Sequence, residues 1–553
     1  MRIAISALVG MTVTLSGAFA RAQVTPTPAP TEVPPAPPPP GAAPAPEPPA
    51  ALPSPFPEGE SPDERMDLVG WRDGFFIRDA RDIVRFYPHL LAETDFYSSF
   101  GPGVTAVKEP DVRSALEPHL LIRRARIGFD AELFKRWSVT ALIEFGGQPL
   151  GNPAGTIENS AAPAGTTPTA SSGRYAPVQS VPSTAPYPAD VYISYSVCKC
   201  FNIQIGQYNL PFSLDNRTGD DYYPLMERTA AIRSFVMGNN PRDIGGTLWG
   251  ELGPKVFNYE IGAFGGDGQN RPSVDGDVDF IGRVFARPFA GGATGDFEKY
   301  LQIGASGRHG TRDPSLVGYD YAAITTGQGF NLWKPTYTDS LGRLIHVLPS
   351  GAQNAIGGEL RMQAGRFALQ SEAYYVANNT REAVDGYQLP SSSGKQYIER
   401  YGRMDGVGWY AQVSAWPFGD AFVGPEPGFY RPRHLDLAGK NPTHVPHGLE
   451  VTAQVSGING SYEGATRIMS TPDANTPMGG ITIYQVGLAA TYWHTKHARF
   501  TVNYNAYITP GNPGNARGDN EAVVPDNLTT GTDGKPNQGH VLHELGARLA
   551  VVF

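Results

Sequence analysis

The sequence predicts an all-β fold: a sixteen-stranded antiparallel barrel that crosses a membrane. Three observations lead there. Segments of some ten residues alternate apolar and polar side chains, the connections between them alternate long and short, and the chain ends on such a segment with a terminal phenylalanine. The composition agrees: 40% of 553 residues are hydrophobic and 18% charged, and Gly 65, Tyr 26 and Phe 26 favour strands, turns and aromatic belts.

The alternation is clearest near the C-terminus. There Phe500, Val502, Tyr504 and Ala506 share one face, and Arg499, Thr501, Asn503 and Asn505 the other. Period two means a strand. It does not by itself separate a soluble sandwich from a membrane barrel, but the connections do. Strands are expected at 83–97, 119–133, 137–145, 189–196, 201–208, 242–251, 256–264, 278–288, 299–308, 355–364, 367–376, 405–417, 447–456, 481–494, 498–508 and 541–553. Long connections follow the odd strands, as at 146–188, 209–241 and 309–354. Tight turns follow most even ones, as from Phe134 to Arg136, Leu252 to Lys255 and Thr495 to His497. Long loops on one side and short turns on the other mark an outer-membrane barrel with both termini in the periplasm. The connection 418–446 departs from this rule: it is a periplasmic excursion, or the strand count there needs revision. Val541, His543, Leu545, Ala547, Leu549, Val551 and Phe553 alternate to the end, as membrane barrels commonly do.

Two segments precede the barrel, which is expected over 66–553. Residues 1–22 carry Arg2, an apolar run from Ile3 to Leu15 and the small-residue close Ala20-Arg21-Ala22, the pattern of a cleaved secretory signal. The run is too short for a spanning helix. Residues 23–65 are dominated by Pro and Ala, including Pro37 to Pro40, and are expected to form a disordered periplasmic tether, with a spacer or cell-wall contact as alternatives.

Formal charge is −9, and loss of Arg2 and Arg21 with the signal makes it more negative. That excludes nucleic-acid binding by general attraction. Cys198 and Cys200 are too few for a disulfide framework or a multi-cysteine zinc site, and sit at the turn after the fourth strand as a disulfide or two free thiols. The His-x-x-His pairs His444/His447, His494/His497 and His540/His543 would place their side chains on opposite faces of a strand and read as interfacial or turn histidines. Arg517-Gly-Asp519 reads as turn chemistry. No phosphate-binding loop, HExxH helix or GxSxG elbow occurs, so no enzyme activity, cofactor or metal is expected.

Four stretches carry a family resemblance. Gly206-Gln-Tyr-Asn-Leu-Pro-Phe-Ser-Leu-Asp215 resembles the G-Q-x-K-x-P-F-S-x-E stretch of the phosphate-selective porin O and P family. Leu121-Ile-Arg-Arg-Ala-Arg-Ile-Gly128 resembles the family's L-R-R-A-R motif on the second strand. Leu225-Met-Glu-Arg228 with Asn240-Pro-Arg-Asp-Ile-Gly-Gly246 resembles the passage leading out of the third loop, and Gly487-Leu-Ala-Ala-Thr-Tyr-Trp493 a late strand. The resemblance spans about 71–553 and implies a trimeric sixteen-stranded barrel, with a third loop folded into the pore and arginines drawing anions through. Two departures remove positive charge: Asn209 stands where the family usually carries Lys, and Gln454 where an Arg is common.

Alternation assigns Arg85, Arg124, Arg126, Arg283, Arg287, Arg308, Arg361, Arg499 and Arg548 to the lumen. It also places there Glu93, Asp95, Asp130, Glu132, Glu144, Glu260, Asp279, Glu359, Glu372, Glu450 and Glu544, so nine cations face eleven anions. Arg123 falls on the lipid side, reaching toward lipopolysaccharide phosphates or a subunit contact. In the third loop Arg217, Arg228 and Arg233 face Asp215, Asp220, Asp221 and Glu227. Arg suits phosphate because its planar fork donates two hydrogen bonds and keeps its charge. The expected pore-lining, anion-contacting set is Arg124, Arg126, Arg217, Arg228, Arg233, Arg242, Arg283 and Arg361. The opposing possibility is that these arginines pair with wall carboxylates and brace the barrel.

The function expected is passive diffusion of small hydrophilic solutes, with anion preference and phosphate or polyphosphate uptake. The alternative is a porin of the same build with general or different solute preference. A barrel-based enzyme or adhesin would need a Ser/His pair near the outer rim or a folded extracellular domain, and the sequence offers neither. Expected partners are small ionic solutes, lipopolysaccharide and outer-membrane lipid, and two further copies in a homotrimer, but no nucleic acid. The expected location is the Gram-negative outer membrane, with the N-terminal tether in the periplasm.

Overall fold

A computed structural model describes residues 67–101, 116–146, 186–238, 241–253, 256–273, 276–290, 300–312, 321–333, 337–338, 344–384, 400–428, 434–435, 437, 444–466, 478–509 and 540–553. The expected signal (1–22), the tether (23–65) and Arg517-Gly-Asp519 lie outside these residues.

Sixteen long strands follow in order: β1 Val84–Phe100, β2 His119–Leu133, β3 Trp137–Glu144, β4 Tyr187–Cys198, β5 Phe201–Asn209, β6 Arg242–Leu252, β7 Phe257–Phe264 and β8 Asp279–Ala286. The second half adds β9 Gln302–Arg312, β10 Leu344–Ala364, β11 Phe367–Val384, β12 Arg400–Gly419, β13 Gly448–Thr466, β14 Met478–Thr495, β15 Ala498–Thr509 and β16 His540–Val552. Each pairs antiparallel with the next, and β16 returns to β1, with His543 opposite Phe100 and Val552 opposite Leu91. Closure leaves no edge, so every strand can satisfy its backbone groups inside lipid. Among the described residues no helix is long and apolar enough to cross a membrane; the crossing is by strands.

Each predicted segment coincides with one strand. The largest difference is at β10, which begins at Leu344 rather than 355. A bulge between Pro349 and Gln353 breaks the period there, and the pairing with β11 resumes beyond it.

The two faces differ as a membrane barrel requires. Ile127, Ile205, Ile261, Phe280, Ile356 and Leu549 are exposed on the outside, while their strand neighbours Arg126, Gln204, Glu260, Ile281, Ala355 and Arg548 are buried within. Exposed aromatic residues Phe134, Trp137, Phe201, Phe257, Phe367 and Phe418 mark the periplasmic strand ends, the position of an interfacial girdle. The β2–β3 turn holds Phe134 at φ 54° and Lys135 at φ 58°, both left-handed, which matches a tight hairpin turn. Gly206, which opens the first family motif, adopts φ +140°, and a Cβ there would lie 2.2 Å from the Val191 carbonyl oxygen.

A short hairpin, Val69–Trp71 with Phe75–Arg78, pairs with the start of β1. Trp71 lies 5.1 Å from the His497 ring and 6.2 Å from that of Phe553, at the periplasmic mouth. Cys198 and Cys200 are joined by a disulfide, which decides between the two alternatives for this pair.

Candidate functional site

Three segments lie against the inner wall. The first is the connection 210–241 between β5 and β6, here L3. Its backbone amides donate to side chains from widely separated strands: Ser213 to Ser306 of β9 (2.9 Å), Leu214 and Asp215 to Glu372 of β11 (2.8 and 2.9 Å), Ala230 to Gln485 of β14 (3.1 Å), and Met226 to Asn503 of β15 (3.0 Å). A loop bonded to walls that far apart crosses the bore. The second segment, 321–333, lies against L3: Arg233 donates to Thr325 Oγ1 (2.5 Å) and to the Thr325 and Thr326 carbonyls (2.6 and 2.7 Å). It also reaches the wall, where Gln328 Nε2 donates to Ser99 Oγ (2.6 Å).

The third segment corrects a sequence expectation. The connection after β12 is not a simple outward excursion, and the strand count stands. Gly428 N donates to Thr218 Oγ1 of L3 (2.9 Å), and Gly428 O accepts from Arg283 (2.8 Å). Gly428 has φ +82°, and an added Cβ would stand 3.1 Å from Arg283, so a side chain would crowd this contact. Glu426 pairs with Arg287 (2.7 Å) and Arg361 (2.9 Å), and Leu437 packs on Phe76 and Tyr87. A cavity of about 250 Å³ remains on this side, lined by Asp73, His89, Asp130, Asp221, Glu426 and Lys496 among others.

On one flank of L3, guanidinium groups converge on a single carboxylate. Asp220 Oδ2 lies 2.9 Å from Arg126 Nη2, 3.6 Å from Arg124 Nε and 3.8 Å from Arg242 Nη2, and Oδ1 accepts from Arg228. Burial pushes the Asp220 carboxyl pKa up, yet Arg124, Arg228, Arg126 and Arg242 hold it well below the ordinary value. Glu227 behaves likewise: burial opposes its charge, but Arg123, Arg124 and Arg548 hold its carboxyl below the usual range. Arg499 donates to the Asp220 carbonyl (3.2 Å) and to Glu93 (3.0 Å). Arg548 binds Asp95 with both oxygens at 2.7 Å and Glu227 at 3.0 Å.

The other flank is acidic. Glu372 accepts from Leu214, Asp215 and Tyr410 rather than from a guanidinium in these bonds, and Arg283 is committed to Glu359 at 2.8 and 2.9 Å. Burial raises the Asp215 carboxyl above its ordinary value, only partly offset by Arg228.

All eight predicted residues are placed by the structure. Arg124, Arg126, Arg228 and Arg242 gather around Asp220, as above. Each also has a further partner: Glu93 for Arg124 (2.6 Å), Glu144 for Arg126 (2.7 Å), Asp215 for Arg228 (3.6 Å) and Asp190 for Arg242 (3.0 Å). Arg217 stands apart with Glu260 (3.0 Å), Arg283 with Glu359, Arg361 with Glu426, and Arg233 on the 321–333 carbonyls. Asn209 and Gln454, the neutral departures, are buried, and Gln454 Nε2 donates to Gln412 Oε1 (2.9 Å).

Arg123 is a correction. It does not face lipid: its Nε donates to Glu227 Oε1 at 2.7 Å. The reason is a bulge, since Glu93 pairs with Arg124 and Thr94 with Ile122, leaving Arg123 unpaired and turning it inward beside Arg124. One of the three histidine pairs, His444/His447, needs correction too. Residues 444–447 precede β13, so strand alternation does not apply, and both rings turn toward Asp420. His497 lies in the turn after β14, where its Nδ1 donates to the Val552 carbonyl (2.9 Å), and His543 Nδ1 lies 2.7 Å from the Tyr504 hydroxyl.

A closed sixteen-stranded barrel with an apolar exterior, a polar interior and inward segments defines an outer-membrane porin, a channel rather than an enzyme. The model of the family Phosphate-selective porin O and P matches residues 107–506, and the chain belongs to that family. No curated protein matches it. Among solved structures it is similar to outer-membrane expressed OmpT of Vibrio cholerae, at 9% identity and TM-score 0.44 over 86% of this chain and 100% of that one. It is also similar to the outer membrane channel DcaP of Acinetobacter baumannii, at 11% identity and TM-score 0.39 over 85% and 97%. A third is an anion-selective porin from Comamonas acidovorans, at 10% identity and TM-score 0.38 over 85% and 100%.

Proposed function

We propose that this porin prefers anions and takes phosphate or polyphosphate, with the arginine flank of L3 as the step that selects. The observation that carries the reading is the convergence of Arg124, Arg126, Arg228 and Arg242 on Asp220. A carboxyl that stays ionised well below its ordinary range despite burial reports a positive local potential. An anion passing that flank meets the same potential, and guanidinium forks can exchange Asp220 for phosphate oxygens without losing charge. Arg217, Arg233, Arg283 and Arg361 then serve the walls and the inward segments, each held by its own partner. Export through a cleaved signal at 1–22, a periplasmic tether at 23–65, contact with lipopolysaccharide and assembly as a homotrimer belong to the same proposal.

The balanced lumen and the neutral Asn209 and Gln454 favour a second reading, a porin of the same build for another solute. Reversal potentials across a salt gradient, with phosphate added to the chloride current, separate the two. Anion preference with phosphate block is expected; cation preference, or chloride current indifferent to phosphate, overturns the first reading.

A further inference from the structure

We infer that Asp420, His444 and His447 form a binding site for a divalent transition metal at the neck of the inward connection between β12 and β13. Three donor atoms, one from each of these residues, lie within 4.8 Å of one another. Asp420 Oδ2 stands 2.8 Å from His444 Nε2 and 3.9 Å from His447 Nδ1. Around a tetrahedral zinc, with bonds of about 2.0–2.2 Å, neighbouring ligand atoms are roughly 3.3 Å apart. The two carboxylate–imidazole separations bracket that value, and the imidazole pair, within 4.8 Å, needs to close by up to about 1.5 Å to seat the ion. All three side chains are partly exposed, which leaves them free to make such shifts.

The backbone beneath is already fixed. Gly419 pairs with Gly448, Asp420 N donates to the His447 carbonyl (2.7 Å), and His447 N donates to Asp420 Oδ2 (3.0 Å). The amide bond holds the carboxylate aimed at the two imidazoles, as an outer partner orients a ligand. Two imidazoles and one carboxylate suit zinc, copper(II) or nickel rather than calcium or magnesium, which prefer all-oxygen sites. A bound ion ties the two ends of the connection together, beside the segment that carries Glu426 and Gly428 into the lumen. The remaining coordination position is open to water.

The test uses the full-length porin folded in detergent and titrated calorimetrically with zinc in a magnesium background. One saturable zinc equivalent per chain is expected, unaffected by magnesium. H444A and D420N should each weaken it by at least about tenfold, while H494A, a control on an exposed histidine, leaves it unchanged. Heat-modifiable gel migration checks that each variant keeps its barrel. Copper(II) electron paramagnetic resonance reads the ligands directly: two nitrogens in the parent chain and one in H447A. Absence of a saturable site in the folded parent overturns the inference, as does equal affinity in H444A, D420N and H494A, or a copper spectrum that H447A does not alter.

Discussion

The two flanks of L3 carry the same residue types and hold opposite electrostatic states. Toward β1, β2, β6 and β16, the loop's acids are outnumbered at close range: Asp220 has four guanidinium groups within 4 Å, and Glu227 has three, from Arg123, Arg124 and Arg548. Toward β7, β8 and β11 the arginines are fewer and committed, Arg217 to Glu260 and Arg283 to Glu359, and Glu372 is satisfied by amides and a phenol. Lumen charge is nearly balanced in total, so the anion preference proposed above rests on arrangement and not on composition. A net count hides this, because Coulomb attraction weakens with distance and salt in a water-filled bore screens the more distant charges.

Removing the arginine flank should have the largest effect. Arg124→Gln with Arg126→Gln leaves Asp220 and Glu227 underpaired, and the reversal potential is expected to move toward cations. Breaking buried pairs of this kind costs on the order of 3–5 kcal/mol each, so L3 amides should also exchange hydrogen faster by mass spectrometry. Unchanged selectivity would erase the difference between the flanks.

Arg228 links them, lying near Asp215 (3.6 Å) and bonding Asp220 and the Thr218 carbonyl. Arg228→Lys keeps the charge and loses the fork. Exchange protection across 213–229 should fall by about 1–3 kcal/mol, with ion preference retained. If preference falls as well, charge at this position does not suffice and the fork itself is required.

Arg123→Ala separates the inward placement of that residue from a lipid-facing one. The inward geometry predicts a phosphate block weaker by a few fold, roughly 1 kcal/mol or less. A lipid-facing side chain would leave the block untouched and alter only the interaction with lipopolysaccharide.

Acid provides the smallest and most graded change. The Asp215 carboxyl is raised, so as pH falls toward the ordinary carboxylate range of about 3.9 it takes up its proton first. Its ionised form is disfavoured in the folded state, and protonation stabilises the fold as pH falls into that window. Asp220 and Glu227 are depressed, so their contribution is complete above the ordinary range and is lost only as pH falls through their lower folded values. Mild acid should therefore neutralise Asp215 before Asp220 and Glu227, and increase anion preference. A fall in anion preference over that range would reverse the order of titration.

The strands were legible because period two repeats along each of them and needs no knowledge of the partner. The Arg123 bulge was not, because it exists only in the pairing of β2 with β1: Glu93 and Thr94 skip a residue that the single strand reads in register. The unusual length of 418–446 signalled that the periplasmic rule fails there, but not that Glu426 and Gly428 reach Arg361 and Arg283, contacts across 65 and 145 residues. The arginines of the site were legible as lumen-facing from alternation and motif. Their convergence on Asp220 was not, since it joins β2, β6 and L3, which only closure of the barrel brings together.

The most direct measurement is the phosphate block of chloride current in Asp220→Asn beside Asp215→Asn. With anions selected on the arginine flank, Asp220→Asn removes the carboxylate that four guanidinium groups share and tightens the block, whereas Asp215→Asn tightens it far less. Equal effects of the two substitutions, or a stronger effect of Asp215→Asn, would contradict selection at that flank.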